Sequence, residues 1–277
     1  MTIANDNLTE KPFSRLVPRF FARGRIILSV AAWSIVLRPD GSLVFERVVK
    51  KAFFIFMPKL LELFAGSRSV GHVAERLGFD VFSVDVQPFD RVDLVKDIQD
   101  ISRRDIPFTP DVIWASPPCT TYSLAAISHH RRGIIPVSKD AEIADRLLQK
   151  TIDIFGWFPN AQFFMENPVG MMRKMPQVKS IDRRSVTYCS YGDTRMKPTD
   201  IWTNNAKSLF QKGWQPRPRC RNGNRKCHHE PAPRGAKTGT QGLKNAYERG
   251  KVPEALIEEI LTTFLEDKNY VSRNIRE

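Results

Sequence analysis

Cys119 follows two prolines at the end of the apolar run Asp111-Val112-Ile113-Trp114-Ala115. Glu166 stands 47 residues later, at the end of a second apolar run, Gln162-Phe163-Phe164-Met165. A thiol and a carboxyl at one sheet edge suit attack on an electron-poor ring. The thiol adds to a ring carbon while a carboxylic acid hydrogen-bonds a ring nitrogen and relieves the developing negative charge. A glutamate in that role needs a raised pKa, which partial burial in a cleft supplies. The plainer alternative is an incidental thiol, with Glu166 as a strand end before an Asn167-Pro168 turn. A second pair of residues suits a nucleoside. Asp85 lies 19 residues past Gly66 and can accept hydrogen bonds from both ribose hydroxyls, and Asp97 can read an adenine amino group. Strand-end capping is the competing role for both aspartates.

These residues need strands that stop on cue. Proline fixes φ and cannot donate to a ladder, so Pro117-Pro118 ends its strand and presents Cys119 on a stiff loop. Leu60 to Phe64 reads as a buried strand, followed by the turn Ala65-Gly66-Ser67-Arg68-Ser69 and a helix from Val70 to Leu77 that ends at Gly78. Strands over Val81–Val84, Val92–Val95, Asp111–Ala115 and Gln162–Met165 end near Asp85, Asp97, Cys119 and Glu166. A loop over 120–138 precedes a helix from Asp140 to Phe158, with Ile143, Leu147, Leu148, Ile154 and Phe155 as its inward face. Short strands follow at Val186–Cys189 and Ile201–Trp202, then an amphipathic helix from Pro253 to Leu265. The alternation predicts an α/β fold with a doubly wound, mostly parallel sheet. Upstream, Ile26–Leu37 and Ser42–Val49 flank Arg38-Pro39-Asp40-Gly41, a hairpin signal. Residues 1–56 carry no chemistry and form an N-terminal extension whose role stays open.

The formal charge of +13 is regional. Residues 170–250 hold 18 Lys/Arg against 5 Asp/Glu, and residues 57–169 hold 12 against 15. A basic segment beside a near-neutral core suggests a polyanion-binding surface, with a solvated basic face as the alternative. Four cysteines and no secretory signal point to a reducing compartment, and the apolar run Ile26–Leu37 is too short for a span of about 20 residues. Membrane association is not expected. Cys220, Cys227, His228 and His229 have a spacing unlike a standard zinc finger, so no metal site is assigned. Zinc at Cys220, Cys227 and His228 is the alternative.

Phe64-Ala65-Gly66, Asp85, Asp97, Pro117-Pro118-Cys119 and Glu166-Asn167-Pro168 appear in that order on strand ends. The set resembles the DNA cytosine-5 methyltransferases, most of all the compact versions carried by bacteriophages and prophages, over about residues 57–203. The resemblance implies the class I S-adenosylmethionine-dependent fold and a defined mechanism. Cys119 attacks carbon 6 of a cytosine flipped out of the duplex, Glu166 engages the ring, and carbon 5 takes the methyl group of S-adenosylmethionine. Phe64 and Gly66 would line the cofactor site, Asp85 hold its ribose and Asp97 its adenine, with Pro117 stiffening the loop between cofactor and base. Residues 120–138 would close over the flipped nucleotide, with Arg131 and Arg132 near phosphates. Double-stranded DNA is the implied partner of a cytoplasmic monomer, in a bacterial cell or phage-infected host.

The chain departs from the family pattern in three places. The second glycine of the first motif is Arg68, the family's Asn-Ser-Val reads Gly250-Lys251-Val252, and the Gln-Arg-x-Arg element is absent. Tyr191 to Thr199 takes its place, with Arg195 the candidate contact to base or phosphate and Lys197 the runner-up. The segment 204–242 would be a short target-recognition element, and 243–277 a helix packing back on the core. Nine Lys/Arg and one acid between Lys207 and Lys237 predict salt-sensitive phosphate contact, and the short segment predicts a short recognition sequence or relaxed specificity. One branch of the same family methylates tRNA, and a basic surface does not separate DNA from RNA. A non-catalytic nucleic-acid-binding module is the third reading, and it would need Cys119 or Glu166 replaced.

Overall fold

The computed structural model of the chain describes residues 31–37, 43–49, 57–205, 213–221, 223–230 and 246–274. It divides into two units, Met1–Met57 and Pro58–Glu277. In the first, Ala31–Leu37 (β1) pairs antiparallel with Leu43–Val49 (β2), in register from Ala31 opposite Val49 to Leu37 opposite Leu43. The expected turn at 38–41 lies outside the described residues.

The second unit is built on strands that bury both faces. Its elements are Lys59–Leu63 (β3), Ser69–Arg76 (α1), Asp80–Asp85 (β4), Leu94–Val95 (β5) and Val112–Ala115 (β6). Next come Ile127–His130 (α2), Arg131–Arg132 (β7), Ile135–Pro136 (β8), Lys139–Gly156 (α3) and Gln162–Pro168 (β9). Asp182–Thr187 (β10), Pro198–Thr203 (β11), Ala246–Gly250 (α4) and Glu254–Asn274 (α5) complete it. Successive strand residues face opposite ways, and β3 and β6 follow that rule with apolar residues on both sides. Leu60, Val112 and Trp114 join a cluster with Val70 and Val73 of α1 and with Leu256, Ile260 and Phe264 of α5. Leu61, Leu63, Ile113 and Ala115 join the opposite cluster, with Ala144, Leu148, Ile154 and Phe155 of α3. Each of the larger of these side chains, fully buried, contributes about 1.5–3 kcal/mol from removal of its apolar surface from water.

The seven-stranded sheet has the order β10-β11-β9-β6-β3-β4-β5. β3 pairs parallel with β4 and β6, β4 with β5, and β6 with β9, whereas β11 pairs antiparallel with β9 and β10. The expected doubly wound, mostly parallel sheet is present. From β3 the chain winds outward through β4 and β5, then returns to β6 and winds the other way. The crevice beyond the carboxyl ends of β3 and β6 is therefore the switch point, where open α/β sheets bind ligands.

Several element readings change: β9 continues past Met165 to Pro168, β10 ends at Thr187 with Tyr188 and Cys189 in the turn after it, and 120–138 holds α2 and the β7–β8 pair. Ile143 is 40% exposed, and the buried stripe of α3 runs through Ala141, Ala144, Leu148, Thr151 and Phe155. That stripe keeps the i, i+3, i+4 spacing, and Ile143 falls off it. α5 continues past Leu265 to Asn274. At its N-terminal end, α3 is capped by Ser138, whose hydroxyl accepts from the Ala141 amide at 3.2 Å, with Asp140 and Glu142 in the first turn.

Candidate active site

The turn after β3 reverses the chain in a way that few side chains allow. Phe64, Gly66 and Arg68 have φ of 58°, 51° and 52°. A left-handed conformation costs a non-glycine residue roughly 1–2 kcal/mol, so the turn needs compensating bonds. Asp85, at the end of β4, supplies one: its Oδ2 accepts from the Gly66 amide at 2.9 Å, while its Oδ1 accepts from the Gln87 amide at 2.9 Å. Arg68 supplies others. Its side chain is buried beneath the turn, where Nε donates to Ser83 Oγ at 2.9 Å and Nη2 to Glu75 Oε1 at 2.8 Å. This arginine thus replaces a glycine without entering the crevice. Glu62 lies below it, accepting from the Gly71 amide at 3.1 Å and the Ser83 hydroxyl at 2.9 Å. Burial pushes its carboxyl up to about 7, against hydrogen bonds from Ser83 and Gly71 and the charge of Arg68. Asp97 caps the turn Ile98–Asp100 by accepting from the Gln99 amide at 2.8 Å.

β6 and β9 are parallel neighbours, with Ala115 opposite Met165, so Cys119 and Glu166 leave the sheet at the same edge. A direct latch joins the loop after β6 to the last residues of β9. Asn167 Nδ2 donates to the Pro117 carbonyl at 2.8 Å, and both residues are buried. Beyond it, a Cβ on Gly170 would lie 2.3 Å from the Tyr122 carbonyl oxygen, so only glycine lets β9 pass under the turn that follows Cys119. Cys119 caps that turn, its carbonyl accepting from the amides of Tyr122 and Ser123 at 3.0 Å each. Burial pushes the Cys119 thiol above its ordinary value. The charge of Lys197 pulls it back, Glu166 adds to the rise, and Arg249 opposes it.

Glu166 is 4% exposed and held from the far strands. Tyr188, just past β10, donates its hydroxyl to Glu166 Oε1 at 2.7 Å. Lys197 Nζ lies 3.6 Å from the same oxygen and 4.7 Å from the centre of the Tyr188 ring. Burial, then Glu166, pushes the Tyr188 hydroxyl well above its ordinary value, so it stays a donor. Tyr188 had no motif to announce it, and Asn167 stood in the Glu166-Asn167-Pro168 motif without a role of its own. The Asn167 bond to Pro117 follows from β9 lying beside β6. The role of Tyr188 arises from the antiparallel insertion of β11 beside β9, which brings β10 and the turn after it against Glu166.

Three arginines stand in different places from one another. Arg195 is expected to touch base or phosphate, but its guanidinium is committed elsewhere. It pairs with Asp193 and donates to the carbonyls of Glu248, Arg249 and Lys251 at 3.4, 3.1 and 3.2 Å. It clamps the α4–α5 connection, and Lys197 is the cation beside the thiol and Glu166. Arg131 is likewise withdrawn from solvent. It pairs with Asp145 at 2.6 Å, donates to the Thr121 carbonyl at 3.0 Å and covers the Tyr122 ring at 4.3 Å. Both expectations are therefore corrected: a buried, fully bonded guanidinium has no donor left for a phosphate. Arg132 is exposed, bonding the Ser128 carbonyl at 2.6 Å. In the same loop Leu124, Ile135 and Val137 are also exposed.

The arrangement sets a thiol and a held carboxyl at one sheet edge, beside the left-handed turn at Gly66. A probable DNA (cytosine-5)-methyltransferase of Frog virus 3 (isolate Goorha) is 32% identical to this chain over 154 residues, covering 53% of this chain and 70% of that one. The chain belongs to the DNA (cytosine-5)-methyltransferase family. No family model matches it. Among solved structures it is similar to the Entamoeba histolytica methyltransferase EhMeth, at 16% identity and a TM-score of 0.41, covering 56% of each chain. It is similar also to Spodoptera frugiperda DNMT2 (19%, 0.40, 57% of this chain and 54% of that one) and to S. pombe Dnmt2 (11%, 0.40, 55% and 51%). The chain spans just over half the length of each of these three. Within the methyltransferase, no described helix is long and apolar enough to cross a membrane.

Proposed function

We propose that this methyltransferase acts on carbon 5 of cytosine in double-stranded DNA, with Cys119 as nucleophile, Glu166 as the ring-nitrogen partner and S-adenosylmethionine as methyl donor. The observation that carries the reading is the latched pair of strand ends. Cys119 and Glu166 share one edge of adjacent parallel strands, tied by the 2.8 Å bond from Asn167 to Pro117. The name of the viral relative supports cytosine in DNA as the substrate.

The residues at the switch point fit the methyl donor. The turn at Gly66 brings backbone close to the crevice, and Asp85 keeps lone pairs for ribose hydroxyls beyond its two amide bonds. Val86, next in sequence, is 56% exposed and offers an apolar face to a purine. Bound there, S-adenosylmethionine supplies an electrophilic methyl group.

The chain's own groups do the remainder. Cys119 Sγ, as thiolate, forms a bond to carbon 6, and the displaced electron pair moves to carbon 5. Both contacts of Glu166 reach Oε1, which leaves Oε2 to face the ring nitrogen and exocyclic amine. The carbon-5 electron pair takes the methyl group, the sulfur–methyl pair leaving with S-adenosylhomocysteine; a base then removes the carbon-5 proton, and the freed pair re-forms the ring double bond and expels Cys119 as thiolate. Lys197 favours the thiolate and keeps Glu166 in place. The exposed apolar tip of residues 124–137, with Arg132 beside it, is suited to cover a flipped base. Residues 57–203 would be the catalytic part and 204–242 the short recognition element.

Methyl transfer from labelled S-adenosylmethionine to duplex DNA and to tRNA tests the reading. Incorporation into DNA, mapped by bisulfite sequencing to cytosines in a site shorter than five base pairs, is expected. Incorporation into tRNA alone would overturn the substrate assignment.

A further inference from the structure

Four metal-ligating side chains meet away from the catalytic edge. Cys189, Cys220, Cys227 and His229 bring their ligand atoms within 4.8 Å of one another. Cys220 Sγ and His229 Nδ1 are 3.5 Å apart. Four ligands around one zinc ion at about 2.0–2.3 Å stand roughly 3.3–3.8 Å from each other, so the cluster needs a contraction of at most about an ångström to become a tetrahedral shell. None of the four is in a disulfide. The set also corrects the histidine expected from sequence: His228 is exposed and outside the cluster, and His229 is in it.

The segment that supplies three of these ligands has little else to fold it. Trp214 is its last buried side chain, and among described residues 215–230 there is no helix, no strand and no buried residue. Five cations lie on it, Arg217, Arg219, Arg221, Arg225 and Lys226, against Glu230. Such a stretch buries too little apolar surface to offset the entropy of ordering it. It is nevertheless seated on the turn Tyr188–Tyr191. Cys220 N donates to Thr187 Oγ1 at 2.8 Å, Ser190 Oγ to the Pro218 carbonyl at 2.9 Å, and Glu230 N to the Thr194 carbonyl at 2.9 Å. Asn224 Nδ2 reaches Cys220 Sγ at 3.4 Å, the kind of donor that steadies a thiolate ligand.

We propose that Cys189, Cys220, Cys227 and His229 bind one structural zinc ion that fastens the basic segment 213–230 to the turn carrying Tyr188. Three thiolates and one imidazole are soft ligands suited to zinc, and four protein ligands close the shell against water, which makes the site structural. Binding releases the protons of the three thiols that ionise. The resulting centre carries one net negative charge, on a segment that itself bears five cations. Cys189 adjoins Tyr188, the donor to Glu166, so the metal fixes the basic segment within one residue of the active site.

The test is elemental analysis of the full chain, expressed with zinc in the medium and purified under reducing conditions without chelator. About one zinc per chain is expected, and cobalt exchanged into the site should show the visible absorption of a tetrahedral thiolate complex. Cys227→Ser and His229→Ala should each lower the zinc content at least about fivefold, while His228→Ala leaves it unchanged. Chelation should expose the arginines of 217–225 to trypsin. Cys189 is buried and its replacement risks misfolding, so Cys227 and His229, two of the three half-buried ligands, carry the test. Zinc below about 0.2 per chain with no cobalt spectrum, or loss of metal from His228→Ala but not His229→Ala, would overturn the proposal. A disulfide among these cysteines in the isolated protein would overturn it as well.

Discussion

Replacing Glu62 by glutamine should make the protein relatively more stable as pH rises. Glu62 is buried beneath the turn that holds Gly66, and its carboxyl is raised from 4.5 to about 7 by that burial. The folded state therefore binds a proton that the unfolded state has released, between about pH 4.5 and 7. Stability falls as pH rises through that window and is flat above it. A displacement of this size corresponds to about 3 kcal/mol. Glutamine has the shape of the protonated acid and can keep the acceptor for the Gly71 amide while removing the titration. Urea unfolding of both proteins at a series of pH values from 4 to 8 measures the difference. The gap between variant and wild type should move by about 3 kcal/mol in the variant's favour across the window, since carboxylates common to both cancel. Parallel stability curves would show that Glu62 is ionised in the folded protein and that Arg68 and Ser83 outweigh its burial.

Arg131→Met should destabilise the fold by about 1.5–3 kcal/mol in urea unfolding, because it removes the charged partner of Asp145, which is left with the Tyr122 hydroxyl and partial solvent. Tyr188→Phe removes the hydrogen bond that holds Glu166 Oε1, worth about 0.5–1.5 kcal/mol, and should lower methyl transfer roughly 2- to 10-fold while the melting temperature falls by only a few degrees. Lys197→Met takes away the cation that lowers the Cys119 thiol, so alkylation of Cys119, followed by peptide mapping, should need higher pH than in the wild type. An unchanged alkylation profile would remove Lys197 from the thiol's environment.

How much of this could be read from the residues varies with the kind of contact. Cys119, Glu166, Asp85 and Asp97 were legible because each follows an apolar run that must be a strand, and chain order alone sets them on strand ends. The parallel pairing of β6 with β9 then follows from the alternation of strands and helices. Arg131, Arg132 and Arg195 all look alike as basic residues in polar stretches. Whether a guanidinium faces a phosphate or a buried partner depends on Asp145, which α3 carries to it, and on the carbonyls of 248–251. Local spacing holds no trace of either. The Cys189 position lies 31 residues before Cys220, in the turn between β10 and β11, so the C-x6-C-x-H spacing was incomplete without it. Arg68 was visible as a departure from the glycine pattern, and only its burial against Glu62 and Ser83 shows how the turn accepts it.

Covalent trapping on duplex DNA containing 5-fluorocytosine, in the presence of S-adenosylmethionine, tests the role of Cys119 most directly. Fluorine at carbon 5 cannot leave as a proton does, so the thioether to carbon 6 persists. The wild-type chain should give a complex stable to denaturing electrophoresis, and Cys119→Ser, folded to the same melting temperature, should give none. A complex retained by Cys119→Ser, or its absence from an active wild-type enzyme, would contradict nucleophilic attack by Cys119.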